Sequence, residues 1–172
     1  MPLRSQGIDG GRIATTLLVG VPRAVAGFDS PRIIYVRDAD QRHVYTDSAW
    51  IDTPARMISP LIVARIADSG LFRGVVAAPS SMAADVRLDT EIVSLQQEFT
   101  VIPSRVRIHV RAYLAVESTR RLLAWTNLEA TVPARSEDAI GAVKAAQEAV
   151  RIVIADLEDF CLHALAESTP KD

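Results

Sequence analysis

An α+β domain is what this sequence predicts: a mainly antiparallel sheet with a long meander, packed on one face by two helices at about residues 54–69 and 136–166. Three observations carry that expectation. Residues 105–117, "RVRIHVRAYLAVE", alternate without a break, setting Val106, Ile108, Val110, Ala112, Leu114 and Val116 against Arg105, Arg107, His109, Arg111 and Tyr113. Strand patterns at 84–99 and 121–132 flank this segment across short connections, as antiparallel neighbours do. Two stripes at helical spacing then supply apolar faces broad enough to cover one side of the sheet.

The composition agrees. Apolar residues make up 49% of the chain but aromatics only 5%, so the core is built from Val, Leu, Ile and Ala and offers no platform for stacking bases or sugars. At 172 residues the chain is long enough for one domain with a real core. We read residues 1–11 as a disordered lead, 12–168 as the domain and 169–172 as a disordered tail. Nineteen Lys and Arg against 21 Asp and Glu give a formal charge of -2, too weak a field to gather nucleic acid. The lone Cys161 excludes an internal disulfide and, on the apolar side of a helix, reads as a buried inert thiol.

In chain order, "RIATTLLVGV" (12–21) is apolar on both of its alternating faces, as in a central strand. Arg4 and Arg12 before it and "AVA" after it also resemble a secretory signal, but two threonines within the run, with Pro22 and Arg23 behind it, favour the strand. "PRIIYVRD" (31–38) turns through "ADQ" into "RHVYTD", a hairpin. Thr53 is placed as the N-cap of the first helix with Pro54 at its first position. Met57, Ile58, Leu61, Ile62 and Ile66 form its apolar stripe, and Gly70 closes it. Pro60 lies inside, where a proline forfeits a backbone bond and kinks or restarts the helix. Trp50, just ahead, reads as a lid holding this helix against the sheet.

"FRGVV" (72–76) is a small strand. In 84–99 the inward set changes parity from Val86, Leu88 and Ile92 to Val93, Leu95 and Phe99, which signals a β-bulge. The last helix opens at Ser136 as N-cap, with Glu137 and Asp138 in its first turn. Ile140, Val143, Val150, Val153, Ile154, Leu157, Cys161 and Leu165 form its stripe. No stretch approaches the roughly 18 apolar residues that span a bilayer, and the sequence as it stands reads as soluble.

Motifs that carry chemistry are hard to find. Arg105, Arg107, His109 and Arg111 could hold an anion, but Asp85, Asp89 and Glu91 on the neighbouring strand are placed to pair with them. The same pairing argues against those carboxylates as an acid-base or metal site. "APSSMA" offers Ser80 and Ser81 without a glycine elbow, and no phosphate loop, dinucleotide fingerprint or HExxH occurs. His43, His109 and His163 without a Cys partner at ligand spacing give no zinc site. No catalytic residue, cofactor or metal is therefore assigned. What remains is the sheet face that the helices leave free, where Tyr113, Trp125 and Leu123 fall among Arg107 and Arg111. Aromatics among arginines are typical of protein interfaces.

From Pro31 to Phe160 the chain resembles the ABC-type transport auxiliary lipoproteins of the DUF330 type, accessory components of mammalian-cell-entry (MCE) lipid transport systems. The resemblance is carried by "PRIIYVRD", Trp50 followed by "TPARMISPLIVARIADSGLFRGVV", "VRLDTEIVSLQQEF", "PSRVRIHVRAYL" and "PARSEDAIGAVKAAQEAVRIVIADLEDF", in matching order and spacing. It implies a non-enzymatic periplasmic component, held at the outer membrane by an N-terminal lipid. It also implies an MCE-type substrate-binding protein as partner, a homo-oligomer, and traffic in lipids or other hydrophobic molecules. The cysteine that would take the lipid is not in this sequence, which leaves the anchoring open. Two alternatives stand beside the adaptor. A carrier of a lipid or other hydrophobic ligand requires an apolar pocket of about 300 Å³ or more, and a small hydrolase requires Ser80 or Ser81 beside a histidine and a carboxylate.

Overall fold

The computed structural model describes residues 13–38 and 41–168; the expected lead with residue 12, the first two residues of the "ADQ" turn and the tail lie outside the described residues. The chain order is β1 (Ile13–Val19), β2 (Arg23–Ala24), β3 (Arg32–Asp38), β4 (Gln41–Ala49), α1 (Pro54–Asp68), β5 (Phe72–Ala77), β6 (Val86–Glu98), β7 (Arg105–Val116), β8 (Leu122–Pro133) and α2 (Ala139–Ser168). This is the α+β architecture that the patterning predicts, with all the strands in a single sheet.

Strand β6 is its spine. Along one edge it pairs antiparallel with β7 over nearly its whole length, and β7 pairs with β8, forming the meander. Since a strand has only two edges, β1, β2 and β3 must share the other one. They pair in turn with residues 86–88, 91–92 and 96–98 of β6, all parallel. Residues 13–38 thus act as one interrupted strand. β5 extends the sheet beside β1, and β4 beside β3. The apolar run at 13–19 is the strand β1 between two neighbours. The sheet is therefore mixed, a point on which alternation alone is silent, because parallel and antiparallel strands share the same period of two.

The β-bulge appears where parity predicted it. Ile92 faces Val110 and Ser94 faces His109, leaving Val93 as the extra residue. The inward set shifts with it, from Val86, Leu88, Thr90 and Ile92 to Leu95 and Gln97; of the expected Val93, Leu95 and Phe99 only Leu95 is buried, Phe99 standing half-buried against the Tyr35 ring. On β7 the alternation holds as far as Leu114: Val106, Ile108, Val110, Ala112 and Leu114 are all buried, and Val116 at the strand end is half-buried.

Both helices cover the face to which these side chains point. In α1, Ile58, Ile62 and Ile66 are buried, but Leu61 is half exposed and Met57 only half-buried. The core thus uses only part of the predicted stripe. The helix runs unbroken through Pro60, whose ring lies on the exposed side. Thr53 occupies the N-cap without a side-chain cap bond; Asp52 instead accepts the Thr53 N–H at 2.7 Å and pairs with Arg56. Gly70 follows with φ +68°, a conformation that favours glycine.

In α2 the N-cap is Asp138 and not Ser136. Its carboxylate accepts the Gly141 N–H at 2.8 Å and the Ser136 hydroxyl at 2.6 Å. Any side chain at Gly141 would collide with the Ser136 carbonyl. The predicted stripe holds from Val150 to Cys161, where its members are all buried, and fails only at its start: Ile140 is 64% exposed, while Gly141, Ala142, Ala145, Ala146 and Ala149 are buried. Small residues let the first half of α2 approach β7 and β8 closely, and Val150, Val153, Ile154, Leu157 and Cys161 fill the space farther along.

A buried polar chain ties β4, β6 and the start of α2 together. Tyr45 Oη–H donates to Gln97 Oε1 at 2.6 Å, Gln97 Nε2 donates to Ser104 Oγ at 2.8 Å, and the Ser104 N–H donates to Glu137 at 2.9 Å. With Gln97 and Ser104 fully inside, each of these bonds matters, because an unmatched buried polar atom costs about 1–3 kcal/mol.

Candidate functional site

Two surfaces stand out, one on each side of the sheet. The first is the open face of the meander. Toward β1 and β3 this face is closed: Leu18, Ile34 and Val36 are buried, as is Phe28 in the loop between β2 and β3, over whose ring the Arg42 guanidinium sits at 4.9 Å. Toward β7 and β8 it is not. There the register sets Tyr113 opposite Trp125 and Arg111 opposite Asn127, and Trp125 is 57% exposed. Tyr113, Trp125 and Arg111 thus form one neighbourhood, while Arg107 lies farther along β7, opposite Thr131.

Leu123 does not join them. A register shift places Leu122 opposite Ala115, so Leu122 takes the open face and Leu123 packs against the core. The charge pairing also differs in detail from expectation. Arg111 does meet Glu91 at 3.3 Å, but Arg105 pairs with Glu98 at 2.8 Å and Arg107 with Glu129 on β8 at 2.6 Å. Asp89 is taken by Arg87, and Asp85 accepts the Thr16 N–H. The hydrogen bond to Arg107 holds the Glu129 carboxyl below its ordinary range, and the same bond raises Arg107. His109 Nε2 lies 3.0 Å from Asn127 Oδ1. The basic row is thus matched by oxygen partners.

The second surface lies between the helices. Near Arg65 and Glu158 an ion pair ties α1 to α2. Toward Trp50 and Ala146 a groove of about 640 Å³ lies between the two helices, with Leu95 of the sheet among its lining residues. Met57 and Leu61 line it from α1, Val150 and Ile154 from α2, and Trp50 stands at the α1 N-terminus. Beneath the helices the packing is tight, with only about 10 Å³ left around Thr90 and Ile62. The apolar volume lies at the surface between the helices and not inside the core. Trp50 is half-buried, packed partly on the core and partly along the groove, so its role is shared between lid and wall.

The residues weighed for other chemistry sit apart. Ser80 and Ser81 are exposed, and Ser80 Oγ accepts the Met82 N–H. His43 stacks on Tyr35 at 5.2 Å, beside Tyr45 and Phe99 around that ring. His163 lies against the Asp159 carbonyl. Burial pushes the Cys161 thiol up to about 12, so it stays protonated and unreactive at neutral pH. Among the described residues no cluster of three metal-ligating side chains occurs, and no helix is long and apolar enough to cross a membrane.

A family model described as ABC-type transport auxiliary lipoprotein component matches residues 4–157. No curated protein matches the chain. Among solved structures, a DUF330 protein from Xanthomonas campestris is 22% identical, covers 91% of this chain and 88% of its own, and superposes with a TM-score of 0.83. The hypothetical protein CT253 from Chlamydia trachomatis is 11% identical, with 85% and 96% covered and a TM-score of 0.57. PelC from Paraburkholderia phytofirmans, solved as a dodecamer, is 15% identical, with 86% and 91% covered and a TM-score of 0.51. These likenesses are of fold.

Proposed function

The chain belongs to the ABC-type transport auxiliary lipoprotein family, and on that premise we propose that it is a non-enzymatic adaptor. In this reading it works in the periplasm at the outer membrane and touches an MCE-type substrate-binding protein of a transporter for lipids or other hydrophobic molecules. The observation that carries it is the open face of β7 and β8. An exposed Trp125 lies opposite Tyr113, with Arg111 beside them, on a surface that neither helix covers. Aromatic and arginine side chains are the common anchors of protein interfaces. A closed homo-oligomer belongs to the same reading, since the fold recurs in the dodecameric PelC.

Light scattering on the purified domain, alone and with its cognate MCE-type protein, tests this. A defined oligomer or a mixed complex that Trp125→Ala and Arg111→Ala weaken is the expected result. A monomer that does not associate with the MCE-type protein would overturn it. The groove favours a second reading, a carrier of a hydrophobic ligand, because its volume of about 640 Å³ falls within the range of small-molecule sites.

A further inference from the structure

We propose that the outer edge of β8 pairs antiparallel with β8 of a second copy of this chain, about a twofold axis at Leu128, so that two sheets become one. The inference rests on the homo-oligomer of the adaptor reading and names its contact. Strands β4, β5 and β8 each pair on one side only. β5 is 6 residues long, and the β4 ladder jumps from Ile34 opposite Val44 to Arg32 opposite Ala49, so neither edge is both long and regular. β8 keeps its register on β7 without a break from Ala124 to Pro133. Long edges are usually guarded by charges, prolines or bulges. Along this one the only charge is Glu129, and Pro133 stands at its very end.

The direction of the backbone groups follows from the ladder. The Ala134 N–H donates to the Ser104 carbonyl at 2.7 Å. In an antiparallel pair every second residue from there, Val132, Ala130, Leu128 and Thr126, turns its N–H and C=O toward β7. Trp125, Asn127, Glu129 and Thr131 therefore turn theirs outward. Among the described residues the Thr126 hydroxyl lies 3.4 Å from the Asn127 carbonyl, and no other backbone or side-chain group meets this row.

A second β8 suits the edge for two reasons. Its flanks differ, with Trp125, Asn127, Glu129 and Thr131 on the open face and Leu128, Ala130 and Val132 on the covered one, and a strand of the same alternation continues both. With the axis at Leu128, Trp125 meets Thr131 of the second copy and Asn127 meets Glu129, so all the outward residues exchange hydrogen bonds. Moving the axis to Glu129 sets two carboxylates face to face. Moving it to Asn127 brings Thr131 against Leu123, where the register of β8 is broken. The contact is isologous and complementary to itself, and it carries Trp125 and Tyr113 of both copies on one continuous face.

Light scattering of the purified chain over a concentration series reads the mass, and cysteine cross-linking reads the register. The expected result is a dimer, or an oligomer built of dimers. Thr131→Pro removes an outward N–H at the kind of position Pro133 already occupies and raises the dissociation constant at least about tenfold. Thr131→Ala keeps the N–H and leaves it unchanged. Under mild oxidation Leu128→Cys forms a disulfide between copies, because opposed residues that share no hydrogen bond lie about 4.5 Å apart at Cα. Thr126→Cys, which faces Ala130 of the second copy, does not cross-link, and the buried Cys161 stays silent in both. A monomer throughout the series overturns the inference, as does an oligomer that tolerates Thr131→Pro and does not cross-link through Leu128→Cys. Cross-linking through Thr126→Cys alone overturns the register. In any of these cases a mixed complex with the MCE-type protein leaves the adaptor reading standing, whereas a monomer that also ignores that protein removes both.

Discussion

Strand β7 has two faces of opposite chemistry, and they do different work. Its covered face holds Val106, Ile108, Val110, Ala112 and Leu114 under α2, all buried. Its open face holds Arg105, Arg107, His109, Arg111 and Tyr113, whose charges are met by partners on β6 and β8. Burial on the covered side supplies stability in proportion to apolar area. Ion pairs on the open side are worth little, because water screens them and long side chains lose entropy to hold them. Stability is therefore expected to reside under the helices and recognition on the surfaces they leave accessible.

That division can be broken or sharpened by mutation. The largest effect is expected inside the covered face, where Ile62 is 2% exposed; Ile62→Ala should cost about 2–5 kcal/mol in urea denaturation. Trp50→Ala, at the half-buried mouth of the groove, should cost less, about 1–2 kcal/mol. A loss as large as that of Ile62 would mean that Trp50 serves as core and not as groove wall. Tyr45→Phe removes the donor to Gln97 Oε1 and should cost about 1 kcal/mol. On the open face Arg107→Ala and Trp125→Ala should each shift stability by less than about 1 kcal/mol. If either matched Ile62→Ala, the contrast between the faces would fail.

The smallest expected effect appears with acid. Asp138 is held below its ordinary 3.8 by the Ser136 hydroxyl and then by the Gly141 N–H, and Glu129 below 4.5 by Arg107. A carboxylate with a depressed folded-state pKa contributes stability that is complete above its unfolded value and is lost as pH falls through the folded one. The urea midpoint should therefore drop slightly between about pH 5 and pH 3. Asp138→Asn with Glu129→Gln should flatten that slope. An unchanged slope would assign acid sensitivity to other groups.

The open face was legible in advance and the groove was not. Period-two alternation exposes one set of side chains and buries the other wherever one side of a sheet is covered, so Tyr113, Trp125, Arg107 and Arg111 share a face by parity alone. Leu123 escapes that rule because a single extra residue in β8 reverses parity, and no composition cue marks the shift. On α2 large residues mark the second half of the buried stripe, while the first half is buried through Ala142, Ala145, Ala146 and Ala149. Alanine's weak hydropathy hides its value where close approach is needed. The groove had one sequence signal, an apolar stripe on α1 wider than the core requires, with Met57 and Leu61 left over.

By itself the sequence determined every element but the two-residue β2, their order, the bulge in β6 and, outside the shift at Leu122, which side chains of β7 and β8 share a face, because these depend on local periods and turn chemistry. Only the tertiary structure decided that β1, β2 and β3 run parallel along one edge of β6. It alone decided that Asp138 caps α2 and that Arg107 pairs with Glu129. It alone decided that α1 and α2 leave apolar space beside Trp50. Each of these depends on distances between segments far apart in the chain, and strand partners and helix separations are set by the packing of whole faces against one another, which no local period records.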